Sequence, residues 1–298
     1  MTELPRIHNF SHHAMGVTFW VRVAEEDFIF AQRAVEAAFF YLDELSREMG
    51  WADGDWSAGQ MALVNRLPGG EMMAVSQSFA DLWLAAEAYR AESQGAFDVR
   101  AGGLFNYWRH RSPASFSPDD TAWLAAMDAF KASSYRLEGL EFHAVHSGAT
   151  IDFRSIICGY AVDRMSEILE STWGIHRALI MAGGAVMRAL DPPGETAGWR
   201  IAIGTRAELL LCRSALSSRV KSATGPVLLD ARIGELGREE GIVRALASTA
   251  QEAQYLSLMG LVLDEAEVRL LLGENGQRGL WLTNDQRLGV LHALPRFV

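Results

Sequence analysis

One cysteine, a few aspartates and two glycine-bearing turns are the residues of this chain whose types and placement could do chemistry. Cys158 lies in "ATIDFRSIICGYAVDRMSEILES" (149–171). The stretch reads as a short apolar strand ending at Asp152, an irregular loop, and a helix opening near Gly159, the outline of a ligand-binding strand-to-helix turn. Arg154 stands where a tight turn would favour glycine, and Cys158 where an anion site would favour lysine. The macrodipole of the following helix can stabilise a thiolate and make Cys158 nucleophilic. A small buried hydrophobe suits the same position, and no histidine lies close by in sequence to serve as base.

Gly183-Gly184 end the apolar run "RALIMAGG". Two glycines let backbone N–H groups approach a phosphate, and they serve equally as a tight turn under a sheet. In "GAFDVRAGGLFNYW" (95–108) Phe97 could wall a flat ring and Asp98 could accept its N–H or O–H groups; an aspartate capping a turn beside core aromatics has the same appearance. Asp152, Asp163 and Asp230 are the further carboxylates available. His12 and His13 are adjacent, so on a strand they point to opposite faces, and His143 and His146 also differ in face. Nothing in these spacings makes a metal site.

Positioning these groups requires both strands and helices. "VTFWVRV" (17–23) alternates as a strand does. Val35, Phe39, Leu42, Leu45 and Met49 recur at helical spacing and predict a helix over about 31–49. Ser76 is an N-cap for a second helix through Tyr89. The segment 95–108 reads as irregular, and 112–120 as a polar loop before a short helix. Strands are expected at 140–146, 149–152, in "RALIMA" and in "WRIAIG", a capped helix at Asp264 to Gly273, and a closing hairpin around Asn284-Asp285. No linker divides the chain, so 1–298 reads as one α/β (α+β) domain with mixed sheets flanked by helices. Hydrophobic residues make up 49% and charged residues 21%, the composition of a folded protein with a large core. The net charge of −10 argues against binding nucleic acid through its phosphates. Two cysteines imply no disulfide framework. With no signal-like leader and no membrane-length apolar run, a cytoplasmic protein without membrane insertion is expected.

In order along the chain, these pieces resemble the ApbE family of FAD:protein FMN transferases. The family's "MGT" strand corresponds to "AMGVTF" (14–19), and its segment ending in Asn to "GQMALVN" (59–65). Its "G-x-FD" turn and following Trp are Gly95 to Asp98 and Trp108. Its "D-x-G-G-I-A-K-G-Y-A-V-D" motif runs in register with "DFRSIICGYAVD" (152–163). A Gly-Gly strand end and a "W-R-I-x-I" strand follow. The resemblance implies an α/β protein that binds FAD in a cleft, with Mg²⁺ at the pyrophosphate. It implies cleavage of that pyrophosphate, transfer of FMN to a threonine or serine of a partner protein, and release of AMP, which is phosphoryl-transfer chemistry driven by positioning and charge neutralisation. The ligand-binding positions it implies here are Met15, Gly16, Asn65, Phe97, Asp98, Arg154, Gly159, Tyr160, Asp163, Gly183 and Gly184, with Asp230 and Cys158 as the candidates for a catalytic part.

The departures fall on functional positions. The family's metal segment "A-D-x-L-S-T-A" is "AQYLSLMG" (253–260), with Gln254 at the Asp position and Leu258 at the Thr position. A third ligand, a backbone carbonyl, maps to Ile157. The family lysine is Cys158, the loop glycines are Arg154 and Ser155, and "H-I-I-D-P" becomes "VLLDAR", keeping Asp230 and replacing His by Val227. The Asp after the glycine pair is Ala185. Mg²⁺ needs hard oxygen ligands, so it is expected to be absent or weakly held. The expected protein keeps the fold and an FAD or nucleotide cleft, lacks FMN transfer, and acts as a binding or assembly protein toward a flavoprotein or other partner. Arg154 could then hold a phosphate directly, and the Trp-bearing loop "MGWADGDW" could be a partner surface or a buried flap. Two alternatives stay open: an active transferase with relocated ligands, and different chemistry centred on Cys158.

Overall fold

The computed structural model describes residues 6–51, 58–109, 111, 116–203, 208–221, 228–237, 241–273, 278–284 and 287–292. In chain order its elements are β1 (Ile7–Ala14), β2 (Val17–Ala24), α1 (Phe28–Met49), α2 (Gly59–Val64), β3 (Met72–Ala74), α3 (Gln77–Glu92), α4 (Gly102–Arg109), α5 (Thr121–Ala132), β4 (Ser134–Glu138) and β5 (Glu141–His146). There follow α6 (Ile157–Glu167), β6 (Ala178–Ala182), β7 (Val186–Ala189), β8 (Trp199–Ala202), β9 (Glu208–Leu211), β10 (Ser214–Lys221), β11 (Leu229–Asp230), β12 (Glu235–Leu236), β13 (Gly241–Ala247), α7 (Ala250–Met259), α8 (Glu265–Leu272), β14 (Gly279–Asn284) and β15 (Arg287–His292).

An eight-stranded sheet in the order β1-β2-β6-β7-β10-β13-β14-β15 forms the centre. Every ladder in it is antiparallel. One register row crosses six strands: Phe19, Ala182, Val186, Ser217, Ala245 and Leu280 stand side by side. Because side chains alternate along a strand, this row and its neighbours two residues away face the same layer, where α1, α6 and α7 pack. The opposite face is covered by the β8–β9 hairpin, whose Trp199, Ile201 and Leu211 bury Leu179, Met187 and Leu216. A smaller sheet, β3-β5-β4, packs its Phe142 against Phe79 and Trp83 of α3.

The helix, strand and cap expectations hold at most places. Strand β2, the Ser76 cap of α3 and the Asp264 capping box of α8 are all found. The strands of the closing hairpin pair with each other, while Asp285 at its tip lies outside the described residues, as does Gly204 beyond β8. Two local expectations are corrected. Residues 102–109 are helical rather than irregular. Gly102 is seated against Thr150, whose carbonyl oxygen would lie 2.4 Å from an added Cβ, so tertiary contact decides the conformation over the weak helix propensity of glycine. Residues 149–152 form no strand ladder, and their one β-bridge among the described residues is the parallel one from Thr150 to Ala101. Their backbone is satisfied otherwise: both polar groups of Ile151 bond to the Asn65 side chain, at 2.7 and 3.0 Å, and the Asp152 N–H donates to Val99 O. The helix of the opening stretch begins at Ile157 rather than at Gly159.

Asn65 thus does for a buried backbone what a neighbouring strand would do. Replacing it by alanine strands the N–H and C=O of Ile151, a fully buried residue. Asn65→Ala is expected to lower unfolding free energy by about 2–4 kcal/mol, read as a shifted urea midpoint at constant slope.

Candidate functional site

Two sets of expected ligand residues converge from opposite sides on the N-terminus of α6. The first set sits at one end of the central sheet. Met15 and Gly16 close the β1–β2 hairpin with φ of +50° and +73°, the two positive angles a two-residue type I′ turn requires. The next hairpin, β6–β7, turns at Gly183-Gly184, also with positive φ. The two turns touch: the Gly183 N–H donates to Thr18 O at 3.0 Å. The Ser218 N–H in turn donates to Ala185 O at 2.6 Å, which places the middle of β10 beside the glycine turn.

The second set is built from three extended segments held edge to edge. Residues 96–102 lie between 150–152 and 229–232, linked by the Ala231 N–H to Ala96 O and the Gly102 N–H to Thr150 O. They enclose a cavity of about 10 Å³ lined by Ala96, Phe97, Asp98, Phe105, Ser155, Leu229, Ala231 and Leu258, room for about one water. Phe97 is buried edge-on against Tyr255 and Tyr89.

Each of these segments carries the same device. Asp98, Asp152 and Asp230 all accept the backbone N–H of the residue two places on, at 2.9, 2.9 and 3.0 Å. In every case that residue is an arginine whose guanidinium folds back onto the same carboxylate. Arg100, Arg154 and Arg232 therefore neutralise the three acids. Arg154 spends its Nε on Asp152 at 2.6 Å and reaches Asn106 at 3.5 Å. Arg232 also holds Glu267 at 2.6 Å. The repeated Asp-x-Arg was visible in the sequence and its meaning was missed.

Between the two sets lies the contact of α6 with α7. Gly159 approaches so closely that an added Cβ would fall 2.5 Å from Gln251 Cα and 2.6 Å from Ala250 O. The Gly159 N–H, near the start of α6, donates to Gln254 Oε1 at 2.7 Å. In return the Asp163 carboxylate accepts the N–H groups of Ala250 and Gln251, at 2.8 and 2.9 Å, at the start of α7. Each helix thus caps the other's unsatisfied first turn. Asp163 is further paired with Arg188 at 2.7 Å; burial pushes its pKa up, and Arg188 and the two amides pull it back. Tyr160 points away from this contact and bonds Asp81 of α3 at 3.1 Å.

The positions at which the resemblance puts a metal ion do not fit one. Gln254 has committed its carbonyl oxygen to Gly159. Leu258 is an aliphatic wall, 2% exposed, of the small cavity. Ile157 opens α6, and its carbonyl belongs to the helical ladder. Among the described residues no three His, Cys, Asp or Glu side chains are grouped to hold an ion. Val227 and residues 52–57 of the Trp-bearing loop lie outside the described residues. No described helix is long and apolar enough to cross a membrane.

Cys158 follows Ile157 in the first turn of α6. Burial pushes its thiol up to about 11, and Arg219 of β10 lowers it only in part. In a Cys212→Ser background, where Cys158 alone reports, iodoacetamide labelling is expected to climb steadily with pH and to show no inflection below about pH 9.5. An inflection under pH 8 would mean a thiolate site instead.

Comparisons with known proteins bear on the family and the fold. The family model described as "ApbE family" matches residues 15–223. A curated FAD:protein FMN transferase of Salmonella typhimurium strain LT2 is 30% identical over 146 residues, 43% of this chain and 38% of that protein. Its counterpart in Escherichia coli K12 is 27% identical over 144 residues, with the same coverage. These matches thus span little more than a third of the relatives' length. Among solved structures, a mutant form of flavin transferase ApbE from Vibrio cholerae superposes with a TM-score of 0.78 at 19% identity, over 98% of this chain and 100% of that one. The apo flavinyl transferase ApbE of Pseudomonas stutzeri gives 0.77 at 22% identity, over 97% and 94%. At these identities the superpositions establish the fold.

Proposed function

Since the chain belongs to the ApbE family, with a match over residues 15–223, we propose that it is a member that has kept the fold and a nucleotide cleft and has given up Mg²⁺-dependent FMN transfer. Residues 1–298 act as one ApbE-like unit that binds a flavin nucleotide and serves a partner protein, a flavoprotein being the natural class. The observation that carries this reading is the bond from the Gly159 N–H to Gln254 Oε1 at 2.7 Å. The one side-chain oxygen left at the metal position is engaged in holding two helices together, and its neutral amide supplies no charge to a hard cation.

The surrounding acids support the same reading. Asp98, Asp152 and Asp230 each face an arginine. A carboxylate so neutralised attracts a divalent ion weakly, and moving it toward one would leave a partly buried guanidinium uncompensated. Among the described residues, the carboxylates nearest to hand as relocated ligands are these and Asp163, which holds the start of α7. Without a cation to neutralise a diphosphate, the transfer step loses its main electrostatic support.

Purified protein incubated with FAD, Mg²⁺ and a peptide bearing an acceptor threonine is expected to release no AMP above a protein-free control. Release of AMP that depends on Mg²⁺ would overturn the proposal in favour of an active transferase. A second measurement tests the site assignment. The double variant Gln254→Asp with Leu258→Thr restores an acid and a hydroxyl, and calorimetric titration with Mg²⁺ is expected to show at least a tenfold gain in affinity over the parent.

A further inference from the structure

Four arginines around this site face aspartates: Arg100, Arg154, Arg188 and Arg232. A fifth does not. Arg219 lies on β10, two residues beyond Ser217, so both side chains leave the same face of the strand. That face is the helix-covered one: Ser217 is 1% exposed, and its Oγ lies 2.9 Å from Ser257 Oγ on α7. Ser257 precedes Leu258. About 7 Å further along the strand, the Arg219 side chain enters the space at the start of α6, where the Cys158 thiol is within its electrostatic reach. Beside it runs the Gly183-Gly184 turn, joined through the Ser218 N–H and Ala185 O.

Among the described residues no carboxylate pairs with Arg219 and no acceptor takes its N–H groups. Burial lowers its pKa to about 10, which still leaves it charged at neutral pH. A guanidinium partly drawn out of water with no counter-ion is costly, and one beside a helix start can receive an anion. A second free donor sits next to it. The Cys158 N–H occupies the second position of α6, an eleven-residue helix, and donates to nothing among the described residues. Its neighbour, the Gly159 N–H, is taken by Gln254.

We propose that Arg219 is a built-in cation that, with the free amide at the start of α6, holds the phosphate of a nucleotide without any divalent ion. The positive charge missing from Cys158, where the resemblance expects lysine, is supplied from the neighbouring strand. The proposal rests on the reading that the fold keeps a nucleotide cleft. The guanidinium offers a planar fork that matches two phosphate oxygens. Arg154 cannot serve in its place while it is folded onto Asp152.

The test is calorimetric titration in EDTA of four probes: FAD, ADP, inorganic pyrophosphate, and riboflavin, which has no phosphate. They are run on the parent chain, Arg219→Lys and Arg219→Met. The parent is expected to bind the three phosphate compounds in EDTA. Arg219→Met is expected to weaken them by tenfold or more, Arg219→Lys by less, and neither to alter riboflavin binding. The ligand-free Arg219→Met protein is expected to melt no lower than the parent, because the substitution removes an uncompensated charge; this separates loss of the site from loss of the fold. Unchanged FAD affinity in a folded Arg219→Met would sink the role of Arg219 while leaving the nucleotide reading standing. Pyrophosphate binding sensitive to Arg219 without FAD binding would keep the anion site and end the nucleotide reading. Binding of the phosphate compounds only after Mg²⁺ is added would overturn the proposal outright.

Discussion

The reciprocal capping of α6 and α7 is the constraint on which the site depends. Helix ends carry backbone groups that must find partners, and here a side chain of each helix takes N–H groups at the start of the other: Gln254 the Gly159 N–H of α6, Asp163 the first two of α7. The arrangement requires the two backbones to touch, and Gly159 alone permits that approach. The Gln254 amide oxygen thereby directs one of its lone pairs at the Gly159 N–H. In this chain that oxygen serves the packing of the two helices.

The electrostatics follow a similar local logic. Each Asp-x-Arg closes an acid against a base within three residues, so charge is balanced as soon as the turn forms. The chain as a whole carries a net charge of −10, yet the acids nearest the small cavity present little field to a cation. Against that neutral background Arg219, which has no counter-ion among the described residues, adds a positive charge that the low-polarity surroundings of α6, α7 and β10 screen poorly. On the proposed reading, this charge arrangement favours an anion over a hard cation.

Much of the fold was legible because periodicity and caps speak locally. The alternation of 17–23, the Ser76 cap and the Asp264 capping box each specify their element from within a few residues. The family order of motifs added long-range placement that no local pattern contains. What stayed hidden was set by contacts distant in sequence. Gly102 starts a helix because Thr150 is beneath it, and Ile151 stays extended because Asn65, 86 residues earlier, bonds its backbone. Gln254 could be read as a poor metal ligand, but its bond to Gly159 could not be seen. Arg154 looked like a free anion clamp because its pairing with Asp152 is a matter of rotamer. Arg219 gave one unread signal, a cation in the strand "SALSSRVK" at a position in phase with the buried Ala215 and Ser217.

The topology of the central sheet has a consequence for synthesis. The β1–β2 hairpin is complete after residue 24, but its inner neighbour β6 pairs Ala182 with Phe19, some 160 residues later. At 5–20 residues per second a ribosome needs roughly 8–30 s to deliver that strand. Meanwhile Phe19, Val21 and Val23, fully buried in the finished protein, have no sheet to join. A nascent chain of this kind is a candidate client for holdase chaperones during that interval, with its first hairpin as the segment they grip.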